Sequence, residues 1–175
     1  MERNVVLIAS GRHDRGRLFP RTKRQVDCLR ELLQKLVGNL NPSDHVAYYD
    51  GTEQAKETAE RIGLSFDGEK AECNFLGGNA RLAPDEFDLG KALQLVEKTP
   101  EKNVVLVTDE TYLSKFTRLY LARLKKKDPA PGICPGDAVV ITDGDSSEGD
   151  QGFSVKAISS FAIPIRNRSA ATLAE

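Results

Sequence analysis

Apolar residues change their spacing from segment to segment, and the spacing predicts the elements. Residues 5–10 form a short continuous apolar run, the pattern of a strand covered on both faces of a parallel sheet, and Gly11 ends it. Over residues 23–37, Val26, Leu29, Leu32, Leu33, Leu36 and Val37 recur at helical spacing, with Gly38 as the stop. Residues 45–49 read as a second strand, and 52–62 as a second helix closed by Gly63. Residues 71–76 read as a further strand before a Gly77-Gly78 turn, and 84–98 as a helix with Phe87, Leu89, Leu93 and Val96 along one side. The β-branched run 103–108 is the clearest strand, and a helix follows from 111 to about 126. Past the break at Pro129 and Pro131, residues 138–142 and 153–159 read as a closing pair of strands joined by the acidic loop 143–150.

Strands alternating with helices predict a three-layer α/β/α sandwich. Its sheet is mostly parallel, because parallel strands need helical crossovers, with one late strand reversed. Residues 1–165 are expected to form a single domain and 166–175 a frayed tail. A chain of 175 residues suits this, since a domain of that size buries roughly 70% of its unfolded surface without staples. The three cysteines, Cys28, Cys73 and Cys134, are far apart and the chain has two histidines, so neither a disulfide framework nor a structural zinc site is expected. The N-terminal apolar run is too short for a signal peptide and no run spans a bilayer, which predicts a soluble cytoplasmic protein that engages no membrane.

Charge changes the picture locally. The 25 basic and 26 acidic residues nearly balance, so nucleic acid is not an expected partner. Yet Arg12, Arg15, Arg17, Arg21, Lys23 and Arg24 crowd one window, opposed there by Asp14 alone. Ligands of parallel α/β sheets sit beyond the carboxyl ends of the strands, which brings together three segments: 10–17, 50–54 and 109–110. The expected pocket is Ser10, Gly11, Arg12, Arg15, Arg17, Gln54 and Asp109, facing a phosphorylated or anionic ligand or a protein partner.

These segments also carry a resemblance. In Leu7-Ile8-Ala9-Ser10-Gly11, in Gln54-Ala55-Lys56-Glu57-Thr58-Ala59 and in Val105-Leu106-Val107-Thr108-Asp109, the chain resembles the histidine phosphatase (phosphoglycerate mutase-like) superfamily, especially the small bacterial phosphohistidine phosphatases without an inserted cap. That family's signatures are a strand ending in Arg-His-Gly, a helix with Arg-Ala-x-x-Thr-Ala, and a strand ending in Val-x-His. The resemblance covers residues 4 to about 160 and includes the closing run from Pro135 to Ile141. It implies an α/β fold, no cofactor, and a phosphohistidine intermediate. The diagnostic residues depart from it: Ala9 stands in the arginine's place, Ser10 in the nucleophilic histidine's, Gln54 in the second arginine's and Asp109 in the second histidine's.

Those departures matter because this chemistry is positioning and charge stabilisation. A carboxylate about 4 Å from a phosphate oxygen costs on the order of 4 kcal/mol at an effective dielectric near 20, roughly a thousandfold in binding. A catalytically degenerate protein with a binding or regulatory role is therefore the leading expectation. Two enzymatic alternatives stay open. A strand extended or bulged by a few residues would bring Arg12 and His13 to the usual site, with His13 as nucleophile. A metal-dependent hydrolase would use Asp50, Asp109 and Glu110 as ligands. Plainer roles compete with each residue: a loop position for His13, a turn for His45, a surface helix position for Gln54, a solvated face for the arginines, a helix N-terminal pair for Asp109 and Glu110, and a solvated helix end for Lys125 to Lys127.

Overall fold

A computed structural model of the chain describes residues 3–15, 17–38, 45–66, 71–77, 86–127, 132–144 and 153–159. A five-stranded sheet is built from β1 (Arg3–Ala9), β4 (His45–Tyr49), β5 (Asn103–Thr108), β6 (Ala138–Asp143) and β7 (Phe153–Ile158), in the order β4-β5-β1-β6-β7. Between β1 and β4 lie a two-stranded hairpin, β2 (His13–Asp14) and β3 (Arg17–Leu18), and helix α1 (Pro20–Val37). Helix α2 (Glu53–Ile62) follows β4, and α3 (Glu86–Lys98) and α4 (Glu110–Arg123) flank β5 in sequence.

The central pairings are parallel, β1 with β5 and β5 with β4, while β6 runs antiparallel to β1 and β7 antiparallel to β6. Only β6 is reversed relative to the others. β1 and β5 are buried along nearly their whole length, as their continuous apolar runs require. Alternate side chains feed two cores. Leu7, Leu106 and Ile141 pack on one face with Leu89 and Val96 of α3 and Leu113 and Phe116 of α4. Ile8, Val107 and Val140 pack on the other with Val26, Leu29 and Leu33 of α1 and Ala55, Ala59 and Ile62 of α2. The result is the three-layer arrangement that the alternation of elements predicts.

Several expectations are corrected. Residues 71–76 do not form a strand of the sheet: Glu72 makes an isolated bridge to Tyr49, the Cys73 N–H bonds the Tyr49 carbonyl at 2.8 Å, and Asn74–Leu76 closes as a 3-10 turn. α1 begins at Pro20 rather than residue 23, since proline's fixed φ and missing N–H suit the first turn of a helix. His45 is no turn residue; it opens β4 and is buried. α2 ends at Ile62 as expected and begins one residue later than expected, at Glu53, with Thr52 as N-cap and Gly63 in the left-handed region (φ 85°) as C-cap. α4 is shorter than expected, ending at Arg123, and Lys125 adopts φ 55°. Gly78, residues 84 and 85, most of the acidic loop and the tail lie outside the described residues.

Candidate functional site

Register brings the site together. Ala9 pairs with Thr108 and Tyr49 with Val107, so the carboxyl ends of β1, β4 and β5 finish side by side and present Ser10, Asp50 and Asp109 at one edge. The reversed β6 begins at the same edge, where the Ala9 N–H donates to the Asp137 carbonyl at 2.9 Å and the Gly136 N–H to the Ala9 carbonyl at 3.1 Å. Asp137 is thus a buried acid at this edge that the sequence reading passed over, although its Pro-Gly-Asp setting marks a turn.

The end of β1 is tied down on both sides. The Ser10 N–H donates to the Thr108 carbonyl at 2.7 Å, and the Gly11 N–H donates to Thr58 Oγ1 at 3.1 Å. Thr58 Oγ1 in turn donates to the Gln54 carbonyl at 2.7 Å, so the α2 motif holds the β1 motif through a threonine hydroxyl. Gly11 cannot be replaced freely, because a Cβ there would stand 2.4 Å from Thr22 Cγ2 and 3.0 Å from Leu18 Cδ2. Ser10 is buried in this setting, at 7% exposure. The chain therefore places Ser10, not His13, at the strand end.

Acidic groups follow the two neighbouring parallel strands, Asp109 after β5 and Asp50 after β4. Asp50 is 4% exposed; its Oδ1 accepts from the Thr52 N–H at 2.9 Å and the Thr52 hydroxyl at 2.6 Å, and its Oδ2 accepts from the Thr108 hydroxyl at 3.0 Å. The Thr108 hydroxyl also lies against the Leu76 carbonyl, which makes this fully buried threonine a hub between β5, β4 and the 74–76 turn. Burial pushes the Asp50 carboxyl above its ordinary value; the bonds from Thr52 and Thr108 oppose that rise and the nearby Asp109 carboxylate adds to it. Asp109 is the N-cap of α4, its Oδ1 accepting from the Tyr112 N–H at 2.9 Å. Its Oδ2 is buried without a hydrogen-bond partner among the described residues, and faces Gly77 so closely that a Cβ there would come within 2.8 Å. At φ 99°, Gly77 is also the residue type its backbone demands.

The ligand set expected for a metal-dependent hydrolase is not assembled. Among the described residues no three His, Cys, Asp or Glu side chains are grouped to hold a metal ion. Both Asp50 oxygens are committed to threonine donors and Asp109 Oδ1 caps a helix, while Glu110 belongs to the first turn of α4. The N-terminal-pair role accounts for Asp109 and Glu110 directly.

The basic residues lie outside this edge. Arg12, His13 and Arg17 are exposed on and beside the β2–β3 hairpin, which the Phe19 N–H closes by donating to the Arg12 carbonyl at 3.1 Å. Arg15, also exposed, sits at its tip with φ 48°. Gln54 is half-buried on α2. A cleft of about 350 Å³ opens alongside, lined by Arg17, Lys23, Glu53, Lys56, Glu57 and Glu60. Lys23 pairs with Glu57 at 2.9 Å, and Glu57 Oε2 accepts from the Leu18 N–H at 2.8 Å, fastening the hairpin to α2. Burial alone would raise the Glu57 carboxyl, but the Leu18 N–H and the Lys23 ammonium outweigh it and hold the group below its ordinary value. No helix among the described residues is long and apolar enough to cross a membrane.

No protein-family profile and no curated protein sequence matches the chain. Solved structures do. A candidate phosphohistidine phosphatase SixA from Nakamurella multipartitia is 19% identical with a TM-score of 0.58, covering 91% of this chain and 96% of its own. A phosphoserine phosphatase variant from Entamoeba histolytica, in complex with phosphoserine, is 13% identical with a TM-score of 0.55, covering 91% and 98%. A phosphoglycerate mutase from Plasmodium falciparum is 16% identical with a TM-score of 0.50, covering 90% and 89%. At such identities a likeness speaks for architecture alone, and with both chains spanned almost end to end it is decisive there: this chain has the fold of the histidine phosphatase superfamily.

Proposed function

We propose that the chain is a catalytically degenerate protein on a histidine phosphatase fold, with a binding or regulatory role. One observation carries the reading: the end of β1 presents Ser10 beside the strand end that carries Asp109 and, one strand further, Asp50, where phosphoryl transfer through a histidine needs an imidazole among cations. Asp50 and Asp109 give this edge the sign of field that repels phosphate. Three cysteines without a disulfide suit a reducing compartment, so we place the protein in the cytoplasm.

A second reading rests on the hairpin. Arg12 and His13 follow Gly11 directly and are solvent-exposed, so an active phosphatase for phosphohistidine or a small phosphoester would have to recruit them by moving the hairpin toward the strand ends. Turnover of an aryl phosphate and of a phosphohistidine protein, with and without chelator, for wild type and His13→Ala, separates the two. No turnover in either protein is the expected result. A chelator-insensitive activity that His13→Ala abolishes would overturn it and make His13 the nucleophile.

A further inference from the structure

The arginine block is arranged at odds with the stability of its own elements. Helix α1 has no acid in its first turn and instead has Arg21, Lys23 and Arg24 near the end where its dipole is positive. Arg15 occupies a backbone position, φ 48°, that asparagine or glycine would fill with less strain. Among the described residues, Arg12, Arg15, Arg17, Arg21 and Arg24 have no carboxylate partner, while Lys23 is the one residue of the block in an ion pair there. All five arginines are exposed, and Phe19 stands among them 46% exposed. Like charges crowded beside an exposed aromatic ring are the composition of a recognition surface, since arginine and aromatic residues anchor interfaces and arginine clusters bind acidic motifs.

The neighbouring cleft narrows the class of ligand. Arg17 belongs both to the hairpin and to the cleft, whose other wall carries Glu53, Lys56, Glu57 and Glu60 on α2. A nucleic acid backbone, uniformly negative, would meet three glutamates against a single lysine on that wall as it left the arginines. A protein segment carries both signs and apolar side chains, and can meet arginines, glutamates and Phe19 in turn.

We propose that the β2–β3 hairpin and the start of α1 dock a partner protein through an acidic segment bearing an apolar side chain. Arg12, Arg15 and Arg17 hold its carboxylates, and Phe19 takes the apolar contact. This deepens the binding role proposed above and names its partner class. The turnover assay tests the loss of catalysis, and the binding assay here tests the docking surface, so either can fail alone.

The probe is a fluorescein-labelled peptide of glutamate and aspartate interrupted by phenylalanine, titrated with the full chain at low ionic strength and read by anisotropy. Saturable binding is expected, weakening with salt and falling about tenfold in Arg12→Glu/Arg17→Glu, because several exposed ion pairs are lost together. Arg15→Asn suits the left-handed backbone and should weaken binding while leaving the unfolding midpoint unchanged or higher. Lys102→Gln/Lys115→Gln, on exposed sites elsewhere, should bind as wild type does. Absence of binding, equal loss in the lysine control, tighter binding of a single-stranded oligonucleotide than of the peptide, or displacement by millimolar inorganic phosphate would each overturn the proposal.

Discussion

At the scale of single residues, close approach decides what the site can hold. Gly11 lies where a β-carbon would overlap Thr22 Cγ2, a stiff β-branched methyl that cannot swing aside as a long side chain could. Gly11→Ala should destabilise the fold by about 1 to 3 kcal/mol, as overpacking does. Thr22→Ser deletes the offending methyl, so the double variant should recover most of the loss in urea unfolding; additive losses would show that the contact is not the cause. Asp109 invites the opposite kind of change. Asparagine caps a helix as well as aspartate does, so Asp109→Asn should retain α4 while removing a charge beside Asp50. Vanadate or phosphate, which wild type should bind poorly, should bind the variant at least about tenfold better by calorimetry, given the size of a single like-charge repulsion at short range. Unchanged affinity would mean that the charge at 109 does not set anion binding.

At the scale of elements, the carboxyl ends of three strands are joined by threonines rather than by charges. Thr58 ties α2 to β1, Thr108 ties β5 to Asp50, and Thr52 both caps α2 and donates to Asp50. Thr52→Ala removes both the cap and the hydroxyl's bond to Asp50, so its effect should be about 1 to 2 kcal/mol, read as a lower denaturant midpoint. Thr52→Ser should lie close to wild type, since it keeps the hydroxyl. If the alanine and serine variants were equally weakened, the methyl group rather than the hydroxyl would be what α2 needs. The same element scale explains why residues 71–76 mislead. Ala71, Cys73 and Leu76 are buried, so their pattern mimics a strand, but the segment runs along β4 at the sheet edge and pairs through Glu72 alone before turning. Periodicity reports burial, and burial beside an edge strand does not require a ladder.

At the scale of the whole molecule, two carboxylates give stability opposite dependences on pH. Asp50 has a folded-state value raised above its ordinary 3.8, so the folded protein binds this proton more tightly than the unfolded chain does. Its contribution is fully present below 3.8 and is lost as pH rises through the raised value. Glu57 is held below its ordinary 4.5, so its contribution is present above 4.5 and is lost as pH falls through the lowered value. Urea midpoints measured from acid to neutral pH should therefore show Asp50→Asn gaining on wild type as pH rises, and Glu57→Gln losing ground over the same climb. Curves for both variants that run parallel to wild type would show that neither group changes its proton affinity on folding.

Much of this molecule is written locally. The runs 5–10 and 103–108 are apolar throughout because each strand is covered on both faces, and Thr52 and Gly63 mark the ends of α2 because a cap and a left-handed turn need those residue types. The alternation of such elements is enough to predict a three-layer sandwich and to bring residues 10, 50 and 109 to one sheet edge. What the residues alone left open was which group stands at the end of β1. Both Ser10 and His13 were available, since a strand can be lengthened or bulged without changing its local pattern. Contacts distant in sequence decided it: Thr58 takes the Gly11 N–H, Thr22 closes over Gly11, and Glu57 fastens Leu18, so the chain leaves the sheet after Ala9 and carries His13 out onto an exposed hairpin. The pairing of Asp50 with Thr108, and its nearness to Asp109, were equally invisible, because they depend on register between strands more than 50 residues apart, which only tertiary packing sets.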